Sequence, residues 1–354
     1  MDSGPLPLKP VRVVVVDDSP TMRGLLVAML ESAGQIQVVG IGENGEDAVR
    51  LTQRMRPDAL AMDITMPKMD GLEATRQIMR EIPTPIILIS GSRVQKDINL
   101  TFEALQLGAL AVVEKPGLEN TRAWEDLIRT IRLMSAVPVV RRWDNSRPTS
   151  VPAFPMATAR ATINERPQII GIAASTGGPG VLATILGGLS ADFPLPILIV
   201  QHVTPGFAQG LAEWLNTQTP LQVRLAVHGE TPRSGTVLLA PDDCHLRINE
   251  RNLVELSKDP PYKKFRPSAN YLFGSLAQYY GARAVGIELT GMGDDGVEGL
   301  LALHRAGGHT LAQDAESSVV YGMPQEAVLQ NAVDEILAPT QITEWLNQLV
   351  ARLK

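Results

Sequence analysis

Five polar residues in the first third of the chain stand where short aliphatic runs stop. Asp17 and Asp18 follow Val11–Val16, Asp63 follows Ala59–Met62, Ser90 follows Ile86–Ile89 and Lys115 follows Ala111–Val113. Three carboxylates gathered at one spot repel unless a hard cation such as Mg²⁺ lies among them, and oxygen ligands suit that ion. A hydroxyl and an ammonium beside a metal-bound carboxylate match the outer oxygens of a phosphoryl group. The chemistry this permits is attack by Asp63 on phosphorus, leaving an acyl phosphate. Taken singly, such residues have ordinary roles: a strand-end aspartate caps the next helix, and Lys115 before Pro116 lies on a surface.

A second set begins with Ala-Ser-Thr-Gly-Gly-Pro after the run Ile169–Ala173. It puts Ser175 on a turn entering a helix, where unpaired N–H groups point outward. Such a turn can cradle phosphate or present a nucleophilic serine. No lysine makes it a Walker loop, the G-x-G-x-x-G fingerprint is missing, and Ala173 replaces the first glycine of G-x-S-x-G. A nucleophilic serine needs a base. His202 ends the next run, Ile197–Gln201, on the same sheet edge if the strands are parallel; His245, in a PDDCH turn five residues past Val237–Ala240, is the rival. The base needs an orienting carboxylate, and ELTGMGDDGV after Ala284–Leu289 offers both Asp294 and Asp295, the latter also a plausible helix N-cap.

The elements that must position these residues follow from patterning. Val11–Val16, Val38–Ile41, Ala59–Met62, Ile86–Ile89 and Ala111–Val113 are nearly continuous in apolar residues, as strands of a parallel sheet covered on both faces are. Helical spacing marks Pro20–Ser32, Glu46–Arg56, Leu72–Arg80, Ile98–Leu107 and Arg122–Met134 between them. Val137–Pro167 breaks the rhythm with five prolines and five arginines and reads as a semi-rigid linker. Beyond it the strands are Ile169–Ala173, Ile197–Gln201, Val223–Val227, Val237–Ala240, Ala284–Leu289 and Thr310–Ala312. The helices there are Gly180–Leu186, Phe207–Asn216, Ala269–Tyr279, Val297–Ala306 and Pro339–Leu353. The division is a tail at 1–10, an α/β domain at 11–136, a linker at 137–166 and a second α/β domain at 167–354.

Composition agrees with two folded domains in 354 residues, at 44 % apolar and 20 % charged. A net charge of −6 with 4 % aromatics lacks the basic footprint of a nucleic-acid binder, and no basic helix-turn-helix supports transcriptional output. The single cysteine, Cys244, excludes a disulfide framework or a Cys-rich zinc site. No apolar run is long enough to cross a bilayer, and the first ten residues hold no secretory h-region, so a cytoplasmic location is expected.

DDSPTMR, RPDALAMDITMPKMDG, ILIS and EKP resemble the receiver domain of bacterial response regulators. The resemblance implies a flavodoxin-like (βα)5 fold in which Asp18 and Asp63 coordinate Mg²⁺ with help from Asp17. It further implies that Asp63 is phosphorylated and that Ser90 and Lys115 sense the phosphoryl group. One departure is Val112, where receivers carry an aromatic three residues before the lysine; a switch built on ring rotation has no ring there. GIAASTGGP, VQHVTPGFAQGLAEWL, LAPDDCHL, RPSANYLFGSLA, LTGMGDDGVEGL and AQDAESSVVYGMP resemble the catalytic domain of the chemotaxis protein-glutamate methylesterases, a doubly wound parallel-sheet serine hydrolase that follows a receiver and a linker. That implies Ser175 as nucleophile, His202 as general base and Asp295, directly before the glycine of MGxDG, as orienting acid. Thr176 and the Met292 N–H are implied near the oxyanion.

The implied reaction is hydrolysis of glutamate γ-methyl esters on methyl-accepting chemoreceptors, with glutamine deamidation as a related activity and no cofactor for the esterase step. A chemotaxis histidine kinase is the implied phosphodonor, and the unphosphorylated receiver is expected to cover the Ser175 cleft. The competing expectations are a non-catalytic binding output domain and an esterase for another small acyl ester.

Overall fold

The aliphatic runs of the N-terminal part become five parallel strands. In the computed structural model, which describes residues 9–91, 103–105, 107–117, 119–137 and 166–352, two units divide the chain at Pro148 and Thr149. The first unit holds β1 (Val11–Val16), α1 (Pro20–Ser32), β2 (Ile36–Gly42), α2 (Gly45–Met55), β3 (Ala59–Asp63), α3 (Gly71–Glu81), β4 (Ile86–Ser90), β5 (Ala111–Glu114) and α4 (Thr121–Ser135). Strand order is β2-β1-β3-β4-β5, every pair parallel. The order reverses at β1, and ligands of open α/β sheets bind outside the strand ends at such a point. Pro20 opens α1 behind its N-cap Ser19, Asn44 caps α2 and Asp70 caps α3, each side chain accepting a backbone N–H of the first turn.

The second unit holds β6 (Ile169–Ala174), α5 (Gly178–Gly187), β7 (Ile197–Gln201), α6 (Ala208–Gln218), β8 (Gln222–Leu225), β9 (Thr236–Leu239), β10 (His245–Ile248) and β11 (Val254–Ser257). It continues with α7 (Ala269–Tyr279), β12 (Ala284–Glu288), α8 (Val297–Arg305), β13 (His309–Gln313), α9 (Met323–Leu329), β14 (Glu335–Leu337) and α10 (Pro339–Ala351). Seven parallel strands run in the order β14-β13-β12-β6-β7-β9-β8. After β6 the chain builds one side through β7, then returns to build the other from β12. The loops after β6 and β12 therefore part at the switch point. Phe273 and Leu276 of α7, both fully buried, share a core with Ile169 and Ala173 of β6 and with Leu300 and Leu303 of α8.

Several expectations shift. The strand expected at Val223–Val227 is Gln222–Leu225, and Val227 is 57 % exposed. The β10–β11 hairpin, α9 and β14 were not anticipated: elements of three to seven residues carry too few periods to stand out. His245 begins β10 and does not lie in a turn. The helix expected at Ile98–Leu107 falls largely, and the linker between 138 and 165 wholly, outside the described residues. No described helix is long and apolar enough to cross a membrane.

Phe273 fills the space between β6 and α8 beneath the helix whose N-terminus serves the site below. Phe273→Ala is expected to cost the C-terminal domain about 3–5 kcal/mol, read as a lowered urea midpoint of its unfolding transition.

Candidate functional site

In the first unit, β1 and β3 are parallel neighbours with Val16 opposite Met62, so Asp17 and Asp63 emerge side by side. Asp17 is fully buried, Asp63 nearly so and Asp18 exposed, and one ligand oxygen from each lies within 4.8 Å of the others. Lys115, one residue past β5, reaches across the end of β4 to place Nζ 2.7 Å from Asp17 Oδ2 and 2.8 Å from Asp63 Oδ2. Its own N–H donates to the carbonyl of Ser90, which is buried at the end of β4. Burial pushes the Asp63 carboxyl above its ordinary value while the Lys115 ammonium pulls against it. The Lys115 ammonium is desolvated too, but its hydrogen bonds to Asp17 and Asp63 outweigh this and hold it above the usual lysine range. An all-oxygen set this close, facing a single ammonium, fits a hard divalent cation. Val112 packs against the strand core of this unit.

In the second unit, Ser175 sits between two strand ends. Its N–H donates to Thr290 O (3.0 Å) beyond β12, while on the other side His202 N–H donates to Ala174 O (2.9 Å), extending the β6–β7 pairing. A Cβ built on Gly291 would stand 2.7 Å from the Ser175 Cβ, so only glycine lets the loop after β12 come this near. The next N–H, that of Met292, has no hydrogen-bond partner among the described residues, nor does that of Thr176. Thr290 Oγ1 donates to Thr176 O (2.9 Å), joining the two loops.

His202 and Asp295 meet. Nε2 of the imidazole is 2.9 Å from Asp295 Oδ2, and the ring stacks on Phe265 with centroids 4.4 Å apart. Nδ1 is buried and has no partner, and no hydrogen bond joins the ring to Ser175 Oγ in this structure. Nucleophile–base hydrogen bonds are often long without substrate and tighten when it binds. Asp295, 1 % exposed, takes four hydrogen bonds. Besides His202, Oδ2 accepts from Ala269 N–H (2.8 Å); Oδ1 accepts from Asn270 Nδ2 (2.9 Å) and from the Ser268 hydroxyl. Ser268 is the N-cap of α7, so the carboxylate lies on a helix N-terminus, where N–H groups and dipole favour negative charge. Burial alone would raise its pKa; the bonds from His202, Ser268 and Ala269 more than offset that and hold it below the ordinary range.

The geometry also separates the alternatives. Asp294 points away, half exposed and 2.9 Å from Lys263 Nζ. Asp295 is not a helix cap: the N-cap of α8 is Gly296, with no side-chain bond. His245 is fully buried, accepts from Ser268 N–H at Nδ1 (3.2 Å), stacks on Tyr271 and is held below the usual histidine value, first by burial. It supports the N-terminus of α7 from beneath. Sequence reasoning missed Phe265, Ser268, Asn270 and Glu288. The Ser-Ala-Asn before an apolar helix is an N-cap signal that could have marked an anion-binding helix end.

Residues 170–346 match the CheB methylesterase family and residues 13–123 the response regulator receiver domain. The protein-glutamate methylesterase/protein-glutamine glutaminase 4 of Myxococcus xanthus is 47 % identical over 93 % of this chain and 94 % of its own. The chain belongs to the CheB methylesterase family. The corresponding protein 1 of Syntrophus aciditrophicus is 45 % identical over 96 % of this chain and 98 % of its own. The crystal structure of the Thermotoga maritima CheB methylesterase catalytic domain is 35 % identical, with a TM-score of 0.50, covering 52 % of this chain and 98 % of that one. This CheB-family chain thus carries a methylesterase domain behind a receiver domain.

One buried acid in the methylesterase domain touches none of Ser175, His202 and Asp295 through a hydrogen bond. Glu288 closes β12, fully buried, with neither oxygen hydrogen-bonded. Desolvation first, and the nearby Asp295 charge second, push it well above 4.5. Between 4.5 and its raised folded value the carboxyl is protonated in the folded domain and ionised in the unfolded chain, so stability is lost as pH rises from 4.5 towards the folded value. Urea unfolding between pH 5 and 8 should show Glu288→Gln gaining on the parent, by at most about 1.4 kcal/mol per pH unit. A difference independent of pH would contradict a neutral Glu288.

Proposed function

We propose that the C-terminal domain hydrolyses glutamate γ-methyl esters of chemoreceptors through Ser175, His202 and Asp295, under control of phosphorylation at Asp63. The observation that carries the reading is the 2.9 Å contact of His202 Nε2 with Asp295 Oδ2, which leaves Nδ1 without a partner. An ionised Asp295 at Nε2 keeps that nitrogen protonated, so the unpartnered Nδ1 is the basic one, on a residue that directly follows β7 as Ser175 follows its neighbour β6.

Ser175 Oγ attacks the ester carbonyl and its proton passes to His202 Nδ1. Asp295 stabilises the imidazolium and fixes its orientation, without itself taking the proton. The unpartnered N–H groups of Met292, next to Gly291, and of Thr176, next to Ser175, are the donors we assign to the tetrahedral oxyanion. Collapse expels methanol, which takes the proton from Nδ1. Water, deprotonated by Nδ1, then adds to the acyl-serine; the C–O bond to Ser175 breaks as the imidazolium returns the proton to Oγ, and the glutamate carboxyl is released and ionises. Deamidation of glutamine is the same sequence with ammonia leaving, and the relatives' names include both activities.

In the receiver, Asp17, Asp18 and Asp63 would hold Mg²⁺, which neutralises charge around an incoming phosphoryl group. An Asp63 oxygen attacks the phosphorus of a phosphohistidine on a kinase, and the N–P bond breaks. Lys115 and Ser90 then face the new phosphoryl oxygens. The acyl phosphate shifts the protein from a less active to a more active state. The absence of an aromatic at Val112 supports a switch that does not turn a ring there.

A fluorophosphonate probe should label the parent and leave Ser175→Ala unlabelled; equal labelling would remove the nucleophile. Asp295→Asn should lower kcat for methanol release from methylated receptor fragments on the order of 10³–10⁴-fold. For the receiver, Asp63→Asn is expected to retain turnover without phosphodonor and to show no rise on adding acetyl phosphate. Full stimulation of that variant would refute control through Asp63.

A further inference from the structure

We infer that Gln201 is a positioning residue that locks the backbones of Ser175 and His202 together through one carboxamide. The inference rests on the roles proposed above for those two residues. Gln201 is the last residue of β7 and is 3 % exposed. Its Nε2 donates to Ser175 O (2.8 Å) and to His202 O (2.9 Å). Both partners are carbonyls, which only accept, so the NH₂ must face them and the amide orientation is unambiguous. The last paired residues of β6 and β7 are Ala174 and Gln201, so the two residues that carry the chemistry lie just past the ladder. The last backbone bond between the two segments is His202 N–H to Ala174 O, and the carboxamide adds a side-chain link beyond it.

Two further observations show that this side chain is held here for its donors. Its Oε1 is buried with no partner, a cost that an aliphatic side chain of the same length would avoid. The chain also leaves room for it: a Cβ on Gly178 would fall 2.1 Å from Oε1 and 2.8 Å from the Ala174 Cβ. The first residue of α5 therefore has to lack a side chain for the carboxamide to lie where it does. Gly178 N–H also donates to Ser175 O (2.9 Å), so that carbonyl is held from two directions. Positioning of this kind acts on the reacting geometry and leaves recognition of the substrate alone.

The test compares full-length parent, Gln201→Met and Ser175→Ala by methanol release from a methylated receptor fragment. Gln201→Met keeps the length and removes both donors. It should lower kcat roughly 10–100-fold with KM within about 2-fold of the parent, and slow fluorophosphonate labelling in proportion. If Ser175→Ala turns over like the parent, the serine-esterase reading fails whatever Gln201 does. If Ser175→Ala is inactive while folded Gln201→Met matches the parent, the Gln201 role alone is overturned. Gln201→Glu gives a second readout should the methionine variant not fold. Its neutral carboxyl can donate one O–H to a carbonyl and its carboxylate none, so its kcat relative to the parent should rise as pH falls from 8 to 6. A flat ratio would overturn the role.

Discussion

A buried carboxylate is the constraint around which the C-terminal domain is organised. Removing an ionised aspartate from water is unfavourable by many kcal/mol unless hydrogen bonds replace the lost solvent. Asp295 is 1 % exposed and finds four donors, three of them supplied by Ser268, Ala269 and Asn270 at the start of α7. The fourth is the imidazole of His202. Because the helix end satisfies the rest of the carboxylate, the charge persists, and its partner nitrogen is held as the donor. The core of Phe273 and Leu276 against β6 holds α7 where its N-terminus meets Asp295.

Two carboxyl groups near one strand end are thereby driven to opposite states. Asp295 has donors on both oxygens and lies below its ordinary pKa; Glu288, a few residues earlier, has none and lies well above it. Local hydrogen bonding, and not depth of burial, separates them, since both are buried. The receiver uses a different balance. Asp63 has lost solvent but faces the Lys115 ammonium, and the two opposing influences leave a carboxyl raised but ion-paired.

Strands and long helices were readable because a parallel sheet covered on both faces demands unbroken aliphatic runs, and β1, β7, α1 and α7 match their expected limits residue for residue. The short β10–β11 hairpin, α9 and β14 escaped because so few residues carry no period. Ser175, His202 and Asp63 could be singled out because each directly follows or closes an apolar run, and strand ends converge in this architecture. The choice between Asp294 and Asp295, adjacent and identical in type, had no local basis; only the family resemblance addressed it.

What the sequence determined by itself was the set of strand ends and the residue types placed there, since hydrophobic period and chain order are local properties. Tertiary structure decided which neighbours those residues acquire. It turned Asp295 inward and Asp294 towards Lys263, and gave His245 to the support of α7. It also joined Gln201 to the carbonyl of Ser175, 26 residues away in the chain, as well as to that of its neighbour His202. The reason is physical: the state of an ionisable or hydrogen-bonding group depends on what replaces water around it, and those replacements come from segments distant in sequence.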